Sequence, residues 1–260
     1  MKEPELIPID PDDKFSFACH RKVPCFNHCC KDLNQALTPY DVLRLKKHLK
    51  ITAGEFIKRY AVVYPGPSTG LPVASLRFSS NQDHDCPFVT PDGCKVYEAR
   101  PSSCRIYPLV RALRRSRSDG AVSEHYAVLR EAHCCGFEQQ GPRTARQWIS
   151  DQELGIYNKM NDAMMELIAL KNQLRPGELS PEHQEMARMA FYDPDTLKEK
   201  ALAGELISMD HDHLLPLPEE NDDEAWLVWS FAWIGQVLFG KRMASNLQAL
   251  HHKPERKRTS

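Results

Sequence analysis

Three things are missing from this 260-residue chain: an apolar run of membrane-spanning length, an excess of charge of one sign, and any cysteine after position 135. A bilayer-spanning helix takes about 20 apolar residues. The longest apolar stretch, AWLVWSFAWIGQVLF at positions 225–239, is closed by Gly240-Lys241-Arg242, so it predicts a buried helix and no membrane partner. The formal net charge is −1, which supplies neither the basic field expected of a nucleic-acid binder nor the acidic excess of a disordered chain. The first thirteen residues, MKEPELIPIDPDD, contain no basic, apolar and small-residue succession of a secretory leader. A cytoplasmic, reducing setting is the resulting expectation. There is no internal repeat, no pair of close Cys-x2-Cys knuckles and no Gly-rich nucleotide loop after a strand.

What the chain does have is nine cysteines, grouped as Cys19, Cys25, Cys29 and Cys30, then Cys86, Cys94 and Cys104, then Cys134 and Cys135. A disulfide framework needs an oxidising compartment and is usual in short secreted chains. In a reducing compartment, clustered thiols read as metal ligands or redox groups. The four-residue spacing of Cys25 and Cys29 predicts a helical turn with both sulfurs on one face, and Cys30, about 100° further round, serves a second direction. In the middle group Pro91-Asp92-Gly93 predicts a chain reversal before Cys94, and Arg100-Pro101 sets the approach to Cys104. Two such loops facing each other supply the four or more thiolates that zinc or an iron-sulfur cluster takes.

Bound thiolates bring negative charge, about −2 for a tetrathiolate zinc site. Arg21, Lys22, Lys31, Lys95, Arg100 and Arg105 are interleaved with the cysteines. Lys22 and Lys31 read as surface cations, whereas Arg100 and Arg105, in the EARPSSCRIYP segment, are expected to hydrogen-bond around the ligands. His20, His28, His84 and His133 each lie within two residues of a cysteine and have the right chemistry to replace a thiolate. With eight thiolates available, none is required. His211, His213, His251 and His252 read as surface residues.

Three regions are expected: a cysteine module over 1–145, a helical region over 146–252 and a basic tail over 253–260. Thr38-Pro39 predicts a capped helix with Val42, Leu45 and Leu49 facing inward. Thr52 to Glu55 forms a capping-box pattern that opens a second helix through Tyr60. Prolines and glycines follow, and VASLRF then predicts a strand leading back to Cys86. Beyond the module, Ser150 to Glu153 is a second capping-box pattern, and Leu154, Tyr157, Met160, Met164, Leu167 and Ile168 predict a helix of about 20 residues. Another helix starts at Ser180-Pro181 and is interrupted at Asp193-Pro194. The last runs from the acidic 222–224 to Lys241-Arg242, with Trp226, Trp229 and Trp233 on a core stripe. The fold class expected is mainly α: an irregular cysteine-rich module with few short strands, followed by a helical C-terminal region. Any protein partner would use those C-terminal helices.

The segments Cys25-x3-Cys29-Cys30, Cys86-Pro87-Phe88 and GCKVYEARPSSCRIYP (93–108), with Cys134 ahead of a glycine, resemble the YkgJ or CxxCxxCC family of cysteine-cluster proteins. The resemblance covers about residues 15–140. It implies a zinc- or iron-chelating module with ligands Cys19, Cys25, Cys29, Cys30, Cys86, Cys94, Cys104 and Cys134, and leaves Cys135 over. The chain departs from the family pattern in having five residues, not two, between Cys19 and Cys25. An iron-sulfur cluster or a zinc ion is the expected cofactor, and a polynuclear iron-sulfur centre suits adjacent cysteines and eight thiolates better than one zinc ion. Flagellin lysine methylases are similar in their cysteine cluster, which keeps a cluster-dependent protein-modifying enzyme open as an alternative, although no Cys-x3-Cys-x2-Cys triplet is present. A structural zinc interaction module is the third reading. Whether the chain is an enzyme is left open by its sequence.

Overall fold

The computed structural model describes residues 3–80, 84–116, 118, 121–139, 141–206 and 216–240. The histidines at 211, 213, 251 and 252, the tail over 253–260 and the Lys241-Arg242 helix end lie outside them. The chain forms two compact units, Met1–Gln35 with Arg77–Tyr157, and Ala36–Leu76 with Asn158–Ser260.

The first unit is built on an antiparallel sheet of β1 (Glu5–Ile9), β8 (Leu109–Arg115) and β9 (Val122–Arg130), in the order β1-β9-β8. Its register runs from Glu5 opposite Arg130 to Ile9 opposite Tyr126, and from Leu109 opposite Val128 to Arg115 opposite Val122. A second ribbon pairs β2 (Lys14–Ser16) with β10 (Pro142–Thr144), and a third pairs β6 (Val89–Thr90) with β7 (Gly93–Cys94). Two short helices, α3 (Ser102–Ile106) and α4 (Ala145–Asp151), complete the unit. Its core gathers Phe17, Leu109, Val128, Ala145 and Trp148, with Tyr107, Phe137 and Cys134 packed against them. Phe17 is the hub, its ring 5.6 Å from Tyr107, 5.2 Å from Phe137 and 5.6 Å from Trp148, at the tilted and edge-on angles that aromatic quadrupoles favour. Trp148 anchors α4 to α3 by donating its indole N–H to the Ile106 carbonyl at 3.0 Å.

In the second unit β3 (Ala36–Leu37), β4 (Ala61–Pro65) and β5 (Pro72–Leu76) form a sheet in the order β3-β5-β4. Helices α1 (Pro39–Leu49) and α2 (Ala53–Tyr60) lie between the first two strands in sequence. Thr38 and Asp41 cap α1 reciprocally, and the Thr52 hydroxyl accepts from the Glu55 amide at the start of α2. α6 (Pro181–Tyr192) and α7 (Pro194–Leu202) are divided at Asp193, whose carboxylate caps α7. α8 (Asp223–Phe239) is buried on every side, as expected of a helix apolar all round. Trp226, Trp229 and Trp233 are all core residues, and the Ser230 hydroxyl donates to the Ala190 carbonyl of α6 at 2.8 Å. Within this unit α8 also packs on α7 and α1.

Two expectations are corrected here. The fold is not mainly α with few short strands: it is 45% helix and 20% strand, with ten strands in four small sheets among the described residues. The longest strands were hidden because LVRALRR and VSEHYAVLR do not alternate strictly between polar and apolar residues, and their buried faces contribute only a few residues such as Leu109, Tyr126 and Val128. The capping-box pattern at Ser150 also starts no helix. Helix α4 is already formed there, capped by Thr144 and Gln147. Glu153, at φ 51°, then breaks the chain before α5 (Leu154–Leu174).

Candidate metal centre

All nine cysteines lie in the first unit and all are free thiols. The segment that carries Cys25, Cys29 and Cys30 is not the helical turn their spacing predicts. It is a succession of tight turns, with Val23 N bonded to the His20 carbonyl, Phe26 N to Val23, His28 N to Cys25 and Cys30 N to Asn27. It ends in a short 3-10 helix over His28–Cys30. Asn27 takes the left-handed conformation, φ 69°, which an α-helix cannot pass through. In the 3-10 geometry of three residues per turn, Cys29 and Cys30 are turned about 120° apart.

This looped segment is fastened to the β6–β7 hairpin. Asn27 donates its side-chain amide to the Thr90 carbonyl at 2.8 Å, and Arg21 bonds the Asp92 carbonyl and pairs with its carboxylate, both at 3.1 Å. The hairpin turns at Pro91-Asp92, as its sequence predicts, and requires glycine at 93, where φ is 115° and the Phe26 ring lies 3.3 Å from where a β-carbon would stand. A direct main-chain link joins the first two cysteine groups: Cys86 N donates to the Cys30 carbonyl at 2.9 Å, flanked by the Lys31–Asp85 bridge and by Asp32 N to the His84 carbonyl at 3.0 Å.

The third group is tied in as closely. Cys135 N donates to the Cys25 sulfur at 3.1 Å, and Ala18 N donates to the Gly136 carbonyl at 3.1 Å, which places Cys19 beside the late pair. Cys104, on α3, donates its thiol to Gln35 Oε1 at 3.6 Å. Thus three segments far apart in sequence meet. Residues 18–136 match the family model CxxCxxCC, described as "Putative zinc- or iron-chelating domain". The match takes in all three cysteine groups. The YkgJ name is consistent with that match. Neither a curated protein nor a solved structure matches the chain.

The thiols of the matched stretch act on one another. Burial and then the charges of Cys29, Cys25 and Cys134 push Cys19 up to about 11. Cys30 is raised by its hydrogen bond to Cys29, by burial and by the charges of Cys29, Cys86 and Cys104. Cys29, which receives that bond, is drawn down to about 7 and is the most acidic of these shifted thiols. Burial raises Cys86 and Cys94, and Arg100 opposes the rise at Cys94 and at Cys19. Burial also lifts Cys134, against the pull of the Tyr107 hydroxyl. Removing several thiol protons at once accumulates charge that only a cation offsets, so the donor set has the chemistry of a thiophilic metal site. Among the described residues, no group of three or more His, Cys, Asp or Glu side chains is already arranged as a coordination sphere.

The two arginines take different parts. Arg100, stacked over Tyr97 at 4.1 Å and bonded to Gln152 Oε1, is the cation whose charge reaches the thiols. Arg105 does not bond the thiols. It is buried, donates to the Glu98 and Gln152 carbonyls at 2.7 and 2.9 Å, and lies over Tyr157 at 4.9 Å, so it braces α3. Two contributors escaped the sequence reading. Cys135 supplies an amide donor to sulfur, which no spacing rule reveals. Tyr107 brings its hydroxyl beside Cys134 from the EARPSSCRIYP segment, in which only the arginines and Cys104 were singled out.

Proposed function

We propose that this is a cytoplasmic metal-binding protein whose module holds an iron-sulfur cluster, through Cys19, Cys25, Cys29, Cys30, Cys86, Cys94, Cys104 and Cys134, with a redox role. The observation that carries this reading is the Cys135 amide donating to the Cys25 sulfur at 3.1 Å, beside the Cys30–Cys86 main-chain bond. Amide donors to cysteine sulfur are among the levers that set the potential of such centres. Eight thiols in one unit exceed the four that one structural zinc ion takes. When bound, the cluster supplies one-electron chemistry. The protein's own residues hold the thiolates, offset their charge through Arg100 and shield Cys134 with the core around Phe17.

Purification without oxygen, followed by iron, zinc and acid-labile sulfide analysis and a visible spectrum, tests this. A brown protein with iron and sulfide in near-equal amounts is expected. A colourless protein with stoichiometric zinc and no sulfide replaces the iron-sulfur reading with the structural zinc one. Among the described residues, no helix is long and apolar enough to cross a membrane.

A further inference from the structure

We infer that this protein pairs with a second copy of itself through the outer face of the β1-β9-β8 sheet, laid so that β8 of one copy lies over β1 of the other. The inference concerns the first unit alone. It does not depend on what the thiols hold.

The register divides the sheet into two faces. Ile7, Ile9, Leu109, Tyr126 and Val128 share the inner one, where Leu109 and Val128 belong to the core and Ile9 packs against it. Successive strand residues point to opposite sides, so the outer face takes Leu6 and Pro8 from β1, Ala127 and Leu129 from β9, and Val110 and Ala112 from β8. Pro8, Ala127 and Val110 form one row across all three strands. An antiparallel sheet with one face in water normally carries polar residues there. Here six neighbouring outward positions are apolar. Leu6 is 58% exposed and Val110 37%, Pro8 and Ala112 are exposed as well, and only the central-strand Ala127 and Leu129 are half-buried. A contiguous apolar patch of this kind marks a face that another protein layer covers. The sheet edges are guarded instead, β1 by Pro8 and β8 by three arginines, both of which discourage strand addition.

Charge selects the occupant. The outer strand β1 carries Glu5, with Asp10 just past its end, and no basic residue, whereas the opposite outer strand β8 carries Arg111, Arg114 and Arg115 and no acidic one. Sheets stacked face to face keep their strand directions within about 30° of each other. A twofold axis parallel to the strands exchanges the two outer strands, so basic β8 meets acidic β1 of the other copy twice over, and the face is self-complementary as a closed pair requires. A twofold across the strands would set like charge on like. In the first arrangement Pro8 of one copy covers Val110 of the other. Asp10 follows Ile9, which stands opposite Tyr126, and Arg114 stands opposite Ser123. Asp10 therefore comes within two residues, about 7 Å along the strand, of Arg114 in the other copy, a gap that an arginine side chain spans. The patch measures about 14 by 17 Å, less than the roughly 800 Å² per partner of a stable interface, so the pair is expected to be weak and reversible.

The test is sedimentation equilibrium of the full-length chain from micromolar to near-millimolar concentration, with a phosphine reductant to exclude disulfide-linked dimers. Wild type is expected to pass reversibly from monomer to dimer over this range. Val110→Glu, which places a charge on the outer face and leaves the core untouched, should stay monomeric throughout while keeping the wild-type melting temperature. Asp10→Arg and Arg114→Asp should each weaken the dimer by about fivefold, since the symmetry loses two rim pairs at once, and the double swap should restore it. Wild type that remains monomeric at every concentration overturns the inference, whatever other protein later proves to cover the face. So does a dimer that survives Val110→Glu, or an assembly that grows beyond two copies. A double swap no tighter than either single one overturns the placing of β8 over β1. Should Val110→Glu fail to fold, wild-type mass and the charge swaps decide the matter without it.

Discussion

Gly136 has no room for a β-carbon. One placed there would stand 2.5 Å from Phe17 Cε2 and 2.9 Å from the Ala18 carbonyl oxygen, so core ring and backbone would both have to move. Gly136→Ala is expected to destabilise the protein by about 1–3 kcal/mol, the usual cost of overpacking. Because Cys135 precedes it and donates to the Cys25 sulfur, the same substitution should also speed loss of metal to a chelator. Gly155 is the control. It is an exposed residue of α5 where an added β-carbon would meet nothing within 4 Å, and Gly155→Ala should stabilise by about 0.5–1 kcal/mol through helix propensity without affecting metal retention. Urea unfolding of the two variants, together with the rate of chelator-induced metal loss, checks both statements.

At the scale of elements, the β8–β9 hairpin carries a pH-sensitive clasp. Arg111 bonds Glu124 at 2.6 Å, and the Tyr126 hydroxyl donates to the same carboxylate at 2.6 Å. Both partners hold the Glu124 carboxyl below its ordinary value of 4.5. A carboxylate depressed in the folded state stabilises fully above its unfolded pKa, and that contribution is lost as pH falls through the folded value. Wild type should therefore lose more melting temperature than Glu124→Gln when pH is lowered from 5 toward 3. Equal slopes would show that the clasp contributes nothing. This hairpin is also where the sequence was least legible, because its polar and apolar residues do not keep the strict alternation a strand reading needs. The elements that could be read had strong local signals: Thr38-Pro39, Thr52, Asp193-Pro194, the Pro91-Asp92-Gly93 reversal and the wholly apolar α8. The turns over 20–30 could not be read, since the left-handed Asn27 is held by a bond to Thr90, 63 positions away. The membership of Cys25 and Cys134 in one place was suggested by the family pattern, and the amide of Cys135 was not legible at all.

At the scale of the molecule, the thiols and the tryptophan-rich helix belong to different units with different cores. Metal removal should consequently act on one of them. Hydrogen exchange after chelation is expected to quicken in 20–31, 84–104 and 134–138, and to leave the amides of α6 and α8 as protected as before. A uniform rise across both units would contradict this. The chain leaves the first unit at Gln35 and re-enters it at Arg77. Synthesis runs from the N-terminus, so Cys135 is made while α6 and α8 do not yet exist. Helices α1 and α2, which pack on α6 in the finished unit, are already made and keep their apolar faces uncovered until it arrives. A nascent chain thus offers its sulfurs to metal before its second core can close, and during that interval residues 36–76 present apolar surface that only later synthesis covers.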